Sequence, residues 1–334
     1  EIRPRDWSSD VCSSDLSVVS MDPARQDEAT LPDAHATHAI WRYAPQTARP
    51  YVQLARLDRP IGWWLLLLPC WEGSLLASSA KHIAPNYFHL LLFLIGAIAM
   101  RGAGSTYNDY VDREIDAKVE RTKKRPLACG AIKPQAALIF IVLQCIIGLS
   151  VLLFLNPLTI TLAMISPFIV LIYPYAKRVT SWPQAILGTA FASGALLGWT
   201  AETNTLAPAA LSLYLSGILW TIGYDTIYAL QDVRDDIAIG VKSTARLFGK
   251  NVQLAVGVLY ASSSIFAAIA AFLSGAGLWT LVGIGGFSLH LIWQTNQISE
   301  KISTEKALFL FRSNRDAGLL MCSGFLAQSI INGL

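Results

Sequence analysis

Residues 88–100 read FHLLLFLIGAIAM, and residues 107–127 read YNDYVDREIDAKVERTKKRPL. The first stretch carries no Asp, Glu, Lys or Arg, which is typical of a helix that crosses a membrane, since such a helix needs about 20 mostly apolar residues. The second stretch is crowded with acids and bases. The fold class follows from apolar segments of the first kind, and the function depends on what the charges at their ends can bind.

The composition of the whole chain agrees with a membrane protein. Of its 334 residues, 53% are hydrophobic and 15% are charged, whereas about 25% charged residues is typical of a soluble domain. The net charge of +3 is accounted for by basic loops, so we predict no nucleic-acid partner. The five cysteines show no paired spacing, so we predict neither a disulfide framework nor a cysteine metal site.

Long charge-free stretches divide the chain into nine candidate spans. We therefore predict an all-α integral membrane protein, with nine transmembrane helices in a single bundle surrounded by the lipid bilayer. The spans are residues 60–80, 87–107, 136–155, 157–175, 183–201, 208–230, 252–273, 276–295 and 316–333.

The lysine and arginine residues predict the orientation of these spans, because cytoplasmic loops carry most of the positive charge. With the N-terminus in the cytoplasm, the loops on the other side hold Lys81 alone. The cytoplasmic loops hold Arg113 to Lys133, Lys177, Arg178, Arg234, Lys242, Arg246, Lys250, Lys301, Lys306, Arg312 and Arg315.

The N-terminal region divides into two segments before the membrane domain of residues 51–334. Residues 1–20, EIRPRDWSSDVCSSDLSVVS, precede Met21 and resemble translated sequencing-adapter sequence, so we expect a non-native extension. Residues 21–50 are polar and contain several acids, unlike an arginine-rich, acid-poor transit peptide. We therefore expect the bacterial cell inner membrane, with the active site toward the cytoplasm, rather than the mitochondrial inner membrane.

The first acidic cluster lies at the end of the second span. Asn108, Asp112 and Asp116 have helical spacing and share one helix face, with Asp109 beside them. Carboxylates crowded in this way repel one another, and a divalent cation would relieve that repulsion. Hard oxygen ligands suit Mg²⁺, which binds one or two carboxylates together with substrate phosphates.

A second acidic cluster follows the sixth span, in the stretch YDTIYALQDVRDDIAIGVKSTARLFG of residues 224–249. Asp232 and Asp236 are four residues apart, Asp225 precedes them on the same face, and Asp235 is a neighbour. The recurrence predicts two pseudo-repeated halves whose acidic ends share a cavity. Two metal-binding clusters with cations nearby would bind a diphosphate. The alternative is that each cluster is an ordinary solvated cytoplasmic loop.

Several motifs together resemble the UbiA superfamily of intramembrane prenyltransferases. They are N-D-x-x-D-x-x-x-D at residues 108–116, RTKKRPLACG at 121–130 and D-T-x-Y-A-x-Q-D-x-x-D-D-x-x-x-G-x-K-S-T-A at 225–245. Supporting stretches are LARLDRPIGWWLLLLPCWEG at 54–73, YPYAKRVTSWPQAILG at 173–188 and FRSNRDAGLL at 311–320. The resemblance runs from about residue 54 to the C-terminus and is strongest to members that act on 4-hydroxybenzoate in ubiquinone biosynthesis.

The resemblance implies a nine-helix bundle and a reaction. A polyprenyl chain would pass from its diphosphate to the ring carbon ortho to the hydroxyl of 4-hydroxybenzoate, with Mg²⁺ as cofactor. The expected roles are as follows: Asn108, Asp109, Asp112, Asp116, Asp232 and Asp236 as metal ligands; Asp225 with Asp112, Asp116, Asp232 and Asp236 in catalysis; Arg121, Arg125 and Lys242 on the diphosphate; Arg178 and Lys177 on the acceptor carboxylate.

Three alternatives remain open at this stage. Within the family, the acceptor could be another aromatic ring such as a dihydroxynaphthoate. From a different class, the chain could be a divalent-cation transporter, although transport requires polar groups near the bilayer midplane and the spans are almost free of charge. Glu72, inside the first span, could face the acceptor pocket or make a satisfied polar contact in the bundle.

Overall fold

The computed structural model is all-helical in the part of the chain that it describes. It describes residues 40, 43–119, 122–231, 233, 242–299 and 302–333, without the side chains of Pro174, Lys177 and Arg178. The helices are α1 (Arg49–Leu54), α2 (Ile61–Ala80), α3 (Tyr87–Asp116), α4 (Pro134–Leu152), α5 (Pro157–Val179), α6 (Pro183–Thr203), α7 (Pro208–Ala229), α8 (Thr244–Phe248), α9 (Val252–Leu273), α10 (Leu278–Gln297) and α11 (Thr304–Gly333).

Each of the nine predicted spans overlaps a long helix of this described part. By length and composition, the segments Tyr87–Asp116, Pro134–Leu152 and Thr244–Leu273 are apolar enough to cross a membrane. The prediction of an all-helical membrane protein is therefore confirmed. The number of helices that cross the membrane and the side on which the N-terminus lies stay predictions.

The starts of several helices follow from local sequence. Proline is the first residue of α4, α5, α6 and α7, a position where its missing N–H costs nothing and its fixed φ suits the helix. Asn156 caps α5 by accepting a hydrogen bond from the Thr159 N–H at 3.0 Å. Its amide also donates to the Thr200 carbonyl at 2.6 Å, which ties the start of α5 to the end of α6.

The described residues fall into two compact units. One contains residues up to 60 together with 98–146, and the other contains 61–97 together with 147 onward. In the first, Leu54, Leu127, Ile132 and Ala137 form a small buried cluster. The second has a larger core, in which Trp220 packs edge-on against both Tyr224 and Phe287.

The helices of the larger unit approach closely where glycines face a neighbouring backbone. A Cβ atom at Gly73 would overlap the Ala195 carbonyl, and one at Gly198 would overlap the Cys70 carbonyl.

The outer surface is apolar: Leu153, Leu254 and Phe272 are among many large hydrophobic side chains that lie exposed. Exposed apolar side chains of this kind are expected of a bundle whose solvent is lipid.

Candidate active site

The first predicted cluster lies on the last turns of α3, which continues through the acidic residues to Asp116. Asp109 is 1% exposed and Asp116 is 7% exposed, whereas Asp112 is half-buried. The helical spacing therefore places these residues and Asn108 together, as predicted, but gives them different surroundings. Asp109 and Asp116 are buried with arginine partners.

Asp109 is bound by Arg56 from the loop after α1. One guanidinium nitrogen of Arg56 lies 2.6 Å from Oδ1 and 2.9 Å from Oδ2 of Asp109. The Arg56 backbone has a φ of 57°, in the left-handed region. Its N–H donates to the Gln53 carbonyl, and the Leu57 N–H donates to the Val52 carbonyl. This is a Schellman-type helix end, in which glycine is the usual left-handed residue.

Arg125 connects two of the acids. Its Nη1 donates to Asp109 Oδ1 at 3.1 Å and to Asp116 Oδ2 at 2.8 Å. The Thr122 hydroxyl donates to the Asp116 carbonyl at 3.0 Å and so fixes the loop that carries Arg125. Arg125, a predicted diphosphate ligand, is thus held at the acidic cluster. Arg121, the other arginine predicted in this loop, lies outside the described residues.

The first cluster offers oxygen donors of the kind that Mg²⁺ prefers. Asn108 Oδ1 is buried and has no hydrogen-bond partner among the described residues, which is costly for a polar atom unless something binds it. Within the described ranges, no group of three or more His, Cys, Asp or Glu side chains is arranged to hold a metal ion. The oxygen atoms that a metal could bind here are therefore an amide oxygen and individual carboxylates.

The second cluster is described only in part. Asp225 lies half-buried on α7, between Tyr224, which is 2% exposed, and the fully buried Thr226. Asp232, Asp235 and Asp236 lie outside the described residues, so their predicted metal-binding role is untested. Tyr228 stacks at a tilt on Phe311, with ring centroids 4.6 Å apart.

The side chain of Lys242, predicted to bind diphosphate, contacts the last residue of α5. Its Nζ donates to the Val179 carbonyl at 3.1 Å. Val179 directly follows Lys177 and Arg178, the residues predicted to bind the acceptor, which are helical but have no described side chains. The chain segments assigned to the two substrates therefore meet at this point of the larger unit.

Two residues of this region escaped the sequence analysis. In the sequence Arg56 is only a charged residue before a span, and its partner Asp109 lies 53 residues further along the chain. Gln184, which accepts a hydrogen bond from the Thr244 N–H at 3.1 Å, gave no signal beyond its place in the SWPQ stretch.

Glu72, inside the first predicted span, is 2% exposed, and its Oε1 has no hydrogen-bond partner in the described part of the chain.

Comparison with known families gives one match over most of the chain. The model described as "UbiA prenyltransferase family" matches residues 66–315. The chain is 41% identical over 317 residues to the Arabidopsis thaliana protein named "4-hydroxybenzoate polyprenyltransferase, mitochondrial", covering 93% of this chain and 77% of that protein. It is 43% identical over 299 residues to the Rattus norvegicus protein of the same name, covering 87% and 78%.

Solved structures share the fold. The apo structure of a UbiA homolog from Aeropyrum pernix K1 superposes with a TM-score of 0.67 and 24% identity, covering 79% of this chain and 97% of that one. A UbiA homolog from Archaeoglobus fulgidus, bound to GPP and Mg²⁺, superposes with a TM-score of 0.60 and 19% identity, covering 85% and 99%. At these identities the likeness shows the fold alone.

The predicted location is overturned by the same comparisons. The relatives from Arabidopsis thaliana, Rattus norvegicus and Homo sapiens are all named as mitochondrial proteins. The prediction of a bacterial cell inner membrane is therefore wrong. It rested on acids in residues 21–50, a weak criterion, because composition separates transit peptides from other polar segments only approximately. The membrane character of the chain is unaffected.

Proposed function

The chain belongs to the UbiA prenyltransferase family, and from this premise we propose that it is a 4-hydroxybenzoate polyprenyltransferase of ubiquinone biosynthesis. It transfers the polyprenyl chain of a polyprenyl diphosphate to the ring carbon ortho to the hydroxyl of 4-hydroxybenzoate. The observation that carries this proposal is the 41–43% identity to proteins of that name over most of the chain.

The metal in this proposal is Mg²⁺. Asn108, Asp112 and Asp116 are its ligands on α3, and Asp232 with Asp236 holds a second ion. Two features support this choice: Asn108 Oδ1 is buried without a hydrogen-bond partner in the part of the chain that the structure describes, and hard oxygen donors lie beside it. When bound, the metal supplies Lewis-acid stabilisation of the charge that develops on the leaving diphosphate.

Asp109 takes a different part from the one expected from spacing. Both its oxygens accept hydrogen bonds from Arg56, and Oδ1 also accepts from Arg125. We assign it to holding these arginines rather than to the metal. A buried carboxylate between two guanidinium groups balances their charge and fixes their direction, since Arg–carboxylate pairs are geometrically specific.

The cations bind the two anionic substrates. Arg125, Arg121 and Lys242 donate charge-assisted hydrogen bonds to the diphosphate. Arg178, with Lys177, binds the acceptor carboxylate, because a planar guanidinium matches a carboxylate with two parallel hydrogen bonds.

The remaining residues of the site exclude water, stabilise the cation and accept the ring proton. The allylic C–O bond breaks toward a carbocation, and apolar walls keep water from it. The aromatic face of Tyr228 is suited to stabilise a cation. The phenol ring attacks, and loss of the ring proton restores aromaticity. Asp225 or Asp232 orients the phenol or accepts the proton.

The proposal is tested by measuring prenyl transfer from geranyl diphosphate to radiolabelled 4-hydroxybenzoate in membranes that contain the full chain. We expect product with Mg²⁺ and none with EDTA, and we expect Asp112→Ala and Asp232→Ala to abolish it. Glu114→Ala is the matched control, because the Glu114 side chain is on the same helix but 83% exposed. Correctly folded protein that yields no product would refute the proposal.

A further inference from the structure

Two chain segments of the larger unit meet at the ends of α5 and α7. We call residues 179–184 and 242–248 together the junction. Besides the bond from Lys242 to the Val179 carbonyl, Trp182 packs edge-on against Phe248, with ring centroids 5.6 Å apart. The third contact is the hydrogen bond from the Thr244 N–H to Gln184 Oε1, at 3.1 Å.

Gln184 satisfies a helix terminus within the junction. Thr244 is the first residue of α8, and the first N–H groups of a helix have no partner inside it. The Ser243 hydroxyl accepts from the Arg246 N–H at 3.4 Å, and Gln184 accepts from Thr244. Gln184 is 4% exposed, so its amide oxygen is removed from competition with water.

A second hydrogen bond anchors the same turn to α7. The hydroxyls of Thr226 and Thr244 lie 2.6 Å apart, and both residues are fully buried. The Thr226 hydroxyl also donates to the Ile222 carbonyl of its own helix at 2.6 Å. The turn at residues 242–244 is thus fixed to α6 through Gln184 and to α7 through Thr226.

We infer that Gln184 is a positioning residue that holds Lys242 for the polyprenyl diphosphate. The inference rests on the proposed function, in which Lys242 binds that substrate. A lysine ammonium is a point charge on a flexible four-carbon stem, so its reach is set by where its backbone is fixed. The Val179 carbonyl holds the ammonium at the negative end of α5. A diphosphate, which carries full charges, competes with that carbonyl for the ammonium.

A double-mutant cycle tests this relation between Gln184 and Lys242. The affinity of the full chain for geranyl S-thiolodiphosphate with Mg²⁺ is measured by calorimetry in detergent. We expect Gln184→Leu to weaken binding about fivefold to tenfold, the size of effect expected for one buried hydrogen bond. In the Lys242→Ala background, we expect Gln184→Leu to change the affinity by less than about twofold, because Gln184 acts through the position of Lys242 and residues of one hydrogen-bond network are not additive.

Matched variants separate positioning from general stability. Thr226→Val removes the bond to Thr244, and we expect it to weaken the probe as Gln184→Leu does, with Thr226→Ser restoring affinity. Thr221→Val is the control on α7, since the buried Thr221 hydroxyl donates to Gly217 of its own helix. Gln328→Leu is the second control, because Gln328 accepts from the Trp279 N–H at the start of α10.

The outcomes decide between the claims. Equal losses in Thr226→Val and Thr221→Val, or a Gln184→Leu effect that persists without Lys242, would overturn the inference. If Gln184→Leu does not fold, the comparison of Thr226 with Thr221, repeated in the Lys242→Ala background, gives the same answer. Transfer to 4-hydroxybenzoate is measured in parallel. A wild type that binds the probe and shows the coupling, but makes no product, would refute the proposed function and leave this inference standing.

Discussion

Arg56 holds Asp109 by both carboxylate oxygens while its own backbone occupies the left-handed region. A left-handed residue with a Cβ atom costs about 1–2 kcal/mol, so glycine would relieve strain at this position. The side chain is only 11% exposed and that of Asp109 only 1%. The arginine therefore stabilises the protein through its ion pair with Asp109, and a mutation at residue 56 compares this stabilisation with the cost of the backbone strain.

We predict that Arg56→Gly lowers the thermal midpoint of the protein in detergent. Removing one partner of a buried ion pair costs about 3–5 kcal/mol, which exceeds the backbone strain that glycine relieves. Arg315→Ala is the control, because that arginine is 47% exposed and pairs with an exposed neighbour, Asp316, so it contributes at most about 1 kcal/mol. A variant at residue 56 that melts at or above the wild-type temperature would show that the pair does not stabilise the fold.

The metal requirement should distinguish Asp112 from Asp109. We predict that Asp112→Asn raises the Mg²⁺ concentration for half-maximal transfer at least about tenfold, because second-shell changes alone typically cost 10–100-fold. Asp109→Asn should leave that concentration within about twofold but lower maximal activity, since it leaves Arg56 and Arg125 without a shared carboxylate. Mg²⁺ titrations of both variants provide the measurement, and equal shifts would return Asp109 to the metal site.

The sequence predicts the positions of the helices well because apolar segments in this chain are bounded by prolines and charged residues. The start of α11 is the largest difference: the helix begins at Thr304, whereas the predicted span begins at residue 316. Hydropathy detects the part of a helix that suits lipid, and it does not detect the preceding turns, which carry Lys306, Arg312 and Arg315 and continue the same hydrogen bonding.

The site is less predictable because its contacts join distant parts of the chain. Spacing along α3 places Asn108, Asp112 and Asp116 together, but it does not indicate that Asp109 pairs with Arg56, 53 residues away. The hydrogen bond between Gln184 and Thr244, 60 residues apart, is equally invisible to a local pattern. These pairings depend on how the helices pack.

A buried polar group distant in sequence from both acidic clusters should affect stability without affecting catalysis. Glu202 Oε1 accepts from the Ser74 hydroxyl at 2.7 Å and lies 2.9 Å from His89 Nδ1. We predict that Ser74→Ala lowers the thermal midpoint, because a buried acceptor that loses a donor costs about 1–3 kcal/mol, and leaves both KM values unchanged. Ser150→Ala, whose exposed hydroxyl bonds its own helix, is the control. Equal midpoints for the two variants would contradict the prediction.

The close approach of α2 and α6 predicts opposite results for two glycine substitutions. A Cβ atom at Gly198 would overlap the Cys70 carbonyl and lie 2.6 Å from the Ser74 nitrogen. Both are backbone atoms that cannot move aside as a side chain can. Gly285, within α10, has nothing within 4 Å of a Cβ atom, and alanine there gains up to about 1 kcal/mol of helix propensity.

We therefore expect Gly198→Ala to lower the thermal midpoint and the yield of folded protein, whereas Gly285→Ala leaves both unchanged or raises them. Circular dichroism melts and size-exclusion profiles in one detergent make the comparison. Because the two variants add the same methyl group to the same residue type, the difference between them reports the helix contact. Stability of Gly198→Ala equal to that of Gly285→Ala would mean that the backbones of α2 and α6 separate at little cost, and that their contact does not set the geometry of the larger unit.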